Sequence, residues 1–245
     1  MSIKSTPEPV SKKRSLSISI FTWLMGVIGT LIVAHLTMQY LDLNVYHQLN
    51  GQVFEISNRV DFDDEASIPT WISQAILLAI AASAFFAGLL QKTKAAKRAW
   101  ISIGIVGLLL SIDEVSAMHE LLLQTTHLLL YNEASPTLYQ NAWLILLPFI
   151  AIAGSILAYV VIKYVPRKTI LLMMLGSVIL VLGAAVVDAL TNADNVNTFT
   201  TKGIMVAIEE SLELIGSSTI LYAILDYLET NHGGQIRAAR KKLLG

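Results

Sequence analysis

The sequence predicts an all-α polytopic membrane protein, a bundle of six transmembrane helices with both the N and C termini in the cytoplasm. Three observations lead to this fold class: an apolar composition, six long apolar stretches, and basic residues that fall on one side of the resulting topology. Of the 245 residues, 54% are hydrophobic and only 14% are charged. Because so few charged groups cannot cover a water-soluble domain of this size, we expect most of the chain to lie in a lipid bilayer.

The apolar stretches define the domain organisation. A helix needs about 20 predominantly apolar residues to cross a bilayer. Six stretches meet this requirement: 17–40, 70–91, 99–123, 142–163, 169–190 and 203–227. The predicted organisation is therefore a tail over 1–16, a transmembrane domain over 17–227 with a long acidic loop at 41–69, and a basic tail over 228–245.

Basic residues set the predicted orientation. When the loops are assigned alternately to the two sides, every Lys and Arg except Arg59 and Lys202 falls on the side of the termini. The positive-inside rule makes that side cytoplasmic. We therefore expect a multi-pass protein of a bacterial-type inner membrane, with the 41–69 loop facing outward.

The tryptophans fall at the ends of predicted spans. An indole there can lie at the level of the lipid headgroups. We therefore interpret them as interfacial anchors rather than as binding residues. The four are Trp23, Trp71, Trp100 and Trp143.

Composition also excludes some classes of site and partner. The chain has no cysteine, which excludes disulfides, iron–sulfur clusters and thiolate metal sites. Its net charge is −1, so no nucleic-acid partner is expected. The expected partners are the bilayer itself and a lipid or other hydrophobic small molecule as substrate.

Carboxylic acids inside the predicted spans are the main functional signal. At the centre of a bilayer each charged side chain costs at least ~2.5–3.5 kcal/mol, so such residues are rare and usually functional. At about 1.5 Å of rise per residue, the acids of different spans fall in one layer near the outward face, at a depth that His35 also reaches. The seven acids are Asp113, Glu114, Glu120, Asp188, Glu209, Glu210 and Glu213.

Helical spacing groups these acids further. At about 100° per residue, Asp113 and Glu120 share one face of the third span and His119 lies at its margin. Glu209 and Glu213 are four residues apart and therefore adjacent on the sixth span. Gly216, a little farther along that span, permits a close approach of another helix.

Three interpretations remain open at this point. The acids and histidines suit a divalent Zn, Mn or Fe ion, they suit a proton or cation pathway, or they make helix contacts in a structural subunit. If the metal serves an enzyme acting on a hydrophobic substrate, it would activate water, with Glu120 or Glu213 as general base. The predicted metal ligands are His35, Asp113, His119, Glu120, Asp188, Glu209 and Glu213.

Known motifs add a family but no activity. His119-Glu120 begins like the zinc protease motif H-E-x-x-H, but Leu123 stands where the second histidine belongs. Ser111-Ile112-Asp113-Glu114, His119-Glu120 and Glu209-Glu210-x-x-Glu213-x-x-Gly216 together resemble a family of uncharacterised bacterial six-helix inner-membrane proteins. The resemblance extends over most of the chain and implies a polytopic inner-membrane protein.

Overall fold

The computed structural model describes residues 15–45, 57–64, 66–116, 118, 147–187 and 199–244. Within these ranges the chain forms helices joined by short turns and contains no strand, which confirms the all-α prediction. We number the helices α1 (Leu16–Val45), α2 (Ile68–Leu89), α3 (Lys94–Ser116), α4 (Leu147–Tyr164), α5 (Arg167–Val181) and α6 (Phe199–Leu244). A π-helical segment, Leu182–Val187, continues α5.

Apolar length indicates a membrane location. Among the described residues, four helices are long and apolar enough to cross a bilayer: Leu16–Leu41, Ile68–Leu89, Lys94–Ser116 and Arg167–Ala184. A shorter apolar helix, Gly154–Tyr164, lies inside the fourth predicted stretch. The sixth predicted stretch lies inside α6, which has 46 residues and is therefore about 69 Å long. Since α6 continues to Leu244, the described part of the predicted C-terminal tail is helical.

The α2–α3 hairpin begins with a well-formed helix start. Ser67 is the N-cap of α2, and its side chain accepts a hydrogen bond from the backbone N–H of Thr70. Pro69 occupies the first turn, where its missing N–H has no helical partner to lose. Farther along, Gly107 of α3 lies against Ala81 of α2, so closely that a Cβ at Gly107 would be 3.1 Å from the Ala81 backbone nitrogen.

Helix α6 is the central element, since it packs against α1, α2, α5 and the π-helical segment. Its contact with α5 is backbone to backbone. A Cβ on Gly216 would lie 2.6 Å from the backbone nitrogen of Leu180, and a Cβ on Gly176 would lie 2.6 Å from the carbonyl oxygen of Gly216. Ser217 and Ser218 beside this crossing are buried. The close approach predicted at Gly216 is confirmed.

At the end of the bundle that holds Leu16 and the α2–α3 turn, hereafter the terminal end, α6 is tied to α5 and to the α2–α3 turn. Asp226 pairs with Lys168 of α5, with 2.7 Å between Oδ2 and Nζ. The hydroxyl of Tyr227 accepts a hydrogen bond of 2.9 Å from Nε2 of Gln91. These contacts hold the last predicted span against the preceding ones.

Trp100 corrects one interpretation of the sequence. Trp23 and Trp71 are both 67% exposed, as residues that anchor a protein in lipid should be, but Trp100 is fully buried. Its ring stacks on Tyr227 of α6, with 4.5 Å between ring centroids. Trp100 is therefore a packing residue between α3 and α6, and its interpretation as an interfacial anchor was wrong. Trp143 lies outside the described residues.

Glu229, a residue of α6, caps the N-terminus of α1. Its carboxylate accepts hydrogen bonds from the backbone N–H groups of Leu16 (2.8 Å) and Ser17 (3.1 Å) and from the hydroxyls of Ser15 and Ser17. The first N–H groups of a helix lack partners within it, and the positive end of the helix dipole favours an anion there. Burial by itself raises the pKa of Glu229, but these hydrogen bonds outweigh it and lower the pKa from 4.5 to about 2.

Removing this cap should weaken the protein in a pH-dependent way. Glu229→Gln is expected to lower the free energy of unfolding by about 1 kcal/mol at neutral pH, the usual effect of losing a helix cap. Because the pKa of Glu229 is depressed in the folded state, its stabilisation is present above about pH 4.5 and is lost as the pH falls toward about 2. Thermal unfolding in detergent at pH 7 and at pH 3 measures both effects.

Ser19→Ala is the matched control for this substitution. Ser19 is an exposed α1 residue whose hydroxyl donates to the Ser15 carbonyl one turn earlier. We expect a change within about 0.5 kcal/mol. An unfolding temperature of Glu229→Gln equal to that of the unmodified protein at pH 7 would contradict the capping role.

Candidate metal centre

Three glutamates of α6 converge on one point. Each of Glu209, Glu210 and Glu213 offers a carboxylate oxygen, and these oxygens all lie within 4.8 Å of one another. The three side chains are partly buried. Helical spacing explains the grouping, since Glu213 follows Glu210 by three residues and Glu209 by four, and residues at these spacings are neighbours on a helix surface. We call these three residues the glutamate cluster.

The π-helical segment that follows α5 packs directly on this cluster. A Cβ on Gly183 would lie 2.7 Å from the carbonyl oxygen of Glu209 and 3.1 Å from Cγ of Glu213. Only glycine lets the two backbones approach this closely. Helical segments with π geometry are rare and occur frequently at functional sites, and the apolar sequence of 182–187 carries no signal that distinguishes it from an ordinary helix.

Acids from two other elements act on the cluster. The carboxylate of Glu210 is repelled by the charges of Glu213, Glu114, Glu209 and Asp63, in decreasing order. Glu114 belongs to α3 and Asp63 to the 41–69 loop. Sequence reasoning left both out of the predicted ligand set, Glu114 because its helical phase diverges from that of Asp113, and Asp63 because the acidic run 61–65 lacks the spacing and the glycine of a calcium-binding EF-hand loop.

His35 connects three parts of the fold. It is 1% exposed. Its Nε2 lies 3.3 Å from the carbonyl oxygen of Gly203, and its Nδ1 accepts a hydrogen bond of 3.3 Å from the backbone N–H of Phe62. The same Nδ1 also lies 3.4 Å from Oδ1 of Asp61. His35 therefore joins α1 to the 57–64 segment and to the first turns of α6. Its α6 partner, Gly203, precedes Glu209 by six residues.

The 57–64 segment lies against the bundle at the end opposite Glu229, hereafter the loop end. Phe62 is 3% exposed and meets the His35 ring edge to face, with 5.1 Å between centroids. Next to it, Asp63 pairs with Lys202 of α6 at 3.2 Å. An Asx turn closes the segment, since the backbone N–H of Ala66 donates to the side-chain Oδ1 of Asp64. This part of the predicted acidic loop is packed rather than fully solvated.

The other predicted ligands are placed as follows. Asp113 is a partly buried residue of α3 and precedes Glu114, whose charge acts on the cluster. His119, Glu120 and Asp188 lie outside the described residues. Their assignment as metal ligands, and that of Glu120 as general base, stay predictions.

The chemistry of the cluster follows from its donor atoms. Ionised carboxylates accept up to four hydrogen bonds or metal bonds each and donate none. Oxygen donors favour hard cations such as Mg²⁺, Ca²⁺ and Mn²⁺, and carboxylates also serve iron and zinc. Three oxygens within 4.8 Å of one another can bind one cation after small side-chain rotations.

Comparison with known proteins gives one match. Residues 21–227 match the model of a family described as a domain of unknown function, DUF8692. No curated protein and no solved structure matches the chain.

Proposed function

Because the chain belongs to the DUF8692 family, whose function is unknown, we propose its function from its own residues. The protein is a six-helix integral membrane protein with both termini in the cytoplasm, and its glutamate cluster binds a divalent metal ion near the outward face. Helices α1 to α6 overlap all six apolar stretches, and the placement of Lys and Arg supports the orientation.

The observation that carries the proposal is the convergence of the three carboxylates within 4.8 Å. Like charges this close repel one another, and burial disfavours each of them further. Glu114 and Asp63 add to that repulsion at Glu210. A divalent cation offsets two of these charges and turns the repulsion into attraction, which explains how so many acids can share a site where each is costly.

The proposed ligand set starts from Glu209, Glu210 and Glu213. Asp113 of α3 is a further candidate ligand, as are His119, Glu120 and Asp188, which lie outside the described residues. His35 is a candidate that already has partners in the protein. A purely carboxylate set favours Mn or Fe, and histidine ligation by His119 would favour Zn. In an enzyme acting on a lipid or other hydrophobic molecule, Glu213 or Glu120 would serve as general base.

Metal analysis of the purified protein tests this proposal. The protein is purified in detergent, incubated separately with Mn²⁺, Zn²⁺ and Fe²⁺, desalted, and measured by elemental mass spectrometry. We expect about one metal ion per chain, and less than a tenth of that in Glu209→Gln and Glu213→Gln, because each loses an anionic ligand.

Glu229→Gln is the matched control, since it removes a carboxylate from the same helix at the terminal end. It should retain the metal content of the unmodified protein. Metal content that is absent in the unmodified protein, or unchanged in both cluster variants, would refute the metal site.

A second candidate function is a pathway for protons or cations. The π-helical segment favours it, since irregular helical backbone beside acidic residues is typical of ion sites in transporters. Protein reconstituted into vesicles would then show a flux driven by a pH gradient, and Glu210→Gln would abolish it. A flux that persists in Glu210→Gln would exclude this route.

A further inference from the structure

Among the described residues, a basic side chain lies on α6 between the loop end and the glutamate cluster. Lys202 lies in the first turns of α6, and its ammonium pairs with Asp63 of the 57–64 segment at 3.2 Å. Both side chains are more than half exposed, Lys202 by 52% and Asp63 by 57%. We call Lys202 and Asp63 the entrance pair.

Helix geometry aligns Lys202 with the cluster. Lys202 precedes Glu209 by seven residues and Glu213 by eleven. At about 100° per residue, all three therefore lie within roughly 20° of one face of α6. Lys202 stands about 10 Å along the axis from Glu209, on the side of the exposed loop end. A cation that approaches the glutamates along this face passes Lys202 first.

Asp63 links the entrance to the interior. It is exposed and paired with Lys202, and its charge also acts on Glu210 of the cluster. The carboxylate of Asp63 is thus within electrostatic range of both Lys202 and Glu210. It offers an incoming cation a first anionic partner before the three glutamates.

The two sets of contacts that hold the 57–64 segment differ in strength. Phe62 and His35 are buried and hydrogen-bonded to each other, so this contact fixes the segment. An exposed ion pair contributes only about 0–1 kcal/mol. The entrance pair therefore contributes little to holding the segment and can be broken without unfolding it.

We propose that Lys202 controls cation entry to the glutamate cluster, because its ammonium occupies the position beside Asp63 that an incoming divalent cation must take. This inference rests on the proposed metal site. A cation that displaces the ammonium gains Asp63 as a transient ligand and then moves to the cluster. Lys202 slows entry by repulsion, and Asp63 speeds it by attraction.

Association kinetics with Mn²⁺ test the inference on the full-length protein in detergent. Binding is followed by stopped flow, through loss of the free Mn²⁺ paramagnetic resonance signal or a change in tryptophan fluorescence. Lys202→Gln should raise the association rate constant roughly threefold to tenfold, and Asp63→Asn should lower it by a similar factor, as expected for charges that steer an ion toward its site. Both effects should shrink as salt is added.

Three further variants make the result specific. Lys202→Arg keeps the charge and should behave like the unmodified protein. In an Asp63→Asn background, Lys202→Gln should have a smaller effect, because the position that the ammonium blocks has lost its attraction for the cation. Arg59→Gln removes a charge from the same segment, but the guanidinium of Arg59 bonds to the carbonyl of Ala66, so its effect should stay within twofold.

The outcomes separate this inference from the metal site itself. If the unmodified protein binds Mn²⁺ and the Lys202→Gln and Asp63→Asn rate constants stay within twofold of it, the entrance role is refuted and the cluster stands. If none of the proteins binds Mn²⁺, Zn²⁺ or Fe²⁺, the metal site and its entrance are both refuted.

Discussion

Gly216→Val is expected to destabilise the protein by about 3 kcal/mol, at the upper end of the effect of overpacking a core. The valine Cβ would lie 2.6 Å from the backbone nitrogen of Leu180 and 2.7 Å from the carbonyl oxygen of Gly176. Because both are backbone atoms, a side-chain rotation cannot relieve the clash, and α5 and α6 must separate. Thermal unfolding in detergent should show a decrease of about 10 °C.

Gly26→Val provides the control for this experiment. Gly26 is an exposed helical glycine of α1, and a Cβ there meets nothing within 4 Å. Both substitutions put a β-branched residue in a helix, so only the clash at the α5–α6 crossing distinguishes them. Equal unfolding temperatures of the two variants would show that the crossing is looser than the structure describes.

Gly216→Val should also disturb the glutamate cluster. Gly183, seven residues after Gly176, continues the contact of α5 with α6 as far as Glu209 and Glu213. Separation of the helices at Gly216 therefore moves the π-helical segment away from the cluster. We expect weaker metal binding in Gly216→Val than in Gly26→Val, measured by the same metal analysis.

His35→Ala is expected to release the 57–64 segment. It leaves the N–H of Phe62 and the carbonyl of Gly203 without their present partners, each at a cost of about 1–3 kcal/mol when buried, and it opens a cavity beside Phe62. The segment should then become accessible to proteases that cleave after Arg59. Limited proteolysis followed by mass spectrometry measures this, and the cleavage rate should rise at least tenfold.

His232→Ala controls for the loss of a histidine in general. His232 is partly buried at the terminal end, where it contacts Tyr227 and Gln235. Its loss should leave cleavage at Arg59 unchanged. A cleavage rate in His35→Ala that matches the unmodified protein would show that Phe62 holds the segment without the histidine.

Periodicity predicts the helical features that depend on near neighbours in sequence. The grouping of Glu209 with Glu213 follows from their spacing, and the close packing at Gly216 follows from its small size. The helix start near Pro69 follows from the chemistry of proline, which lacks the backbone N–H that only later turns of a helix require. Each of these features is determined within one helix turn, so a single sequence contains the information.

Features that depend on packing between distant segments could not be predicted in this way. The approach of Glu114 and Asp63 to Glu210 depends on how α3 and the 57–64 segment pack against α6. Trp100 was assigned to the interface because its position in sequence marks a helix end, whereas its burial depends on the partner ring of Tyr227. Periodicity describes the faces of a helix but not which helix covers them.

The bond between Glu229 and α1 has a consequence for biosynthesis. Leu16 and Glu229 are 213 positions apart, and translation proceeds from the N terminus. The first helix therefore enters the membrane while the residue that caps it has not yet been made. Until the ribosome has released the last helix, α1 must leave its first N–H groups to water or lipid headgroups. Chains truncated before residue 229 lack this cap even when all earlier helices have been made.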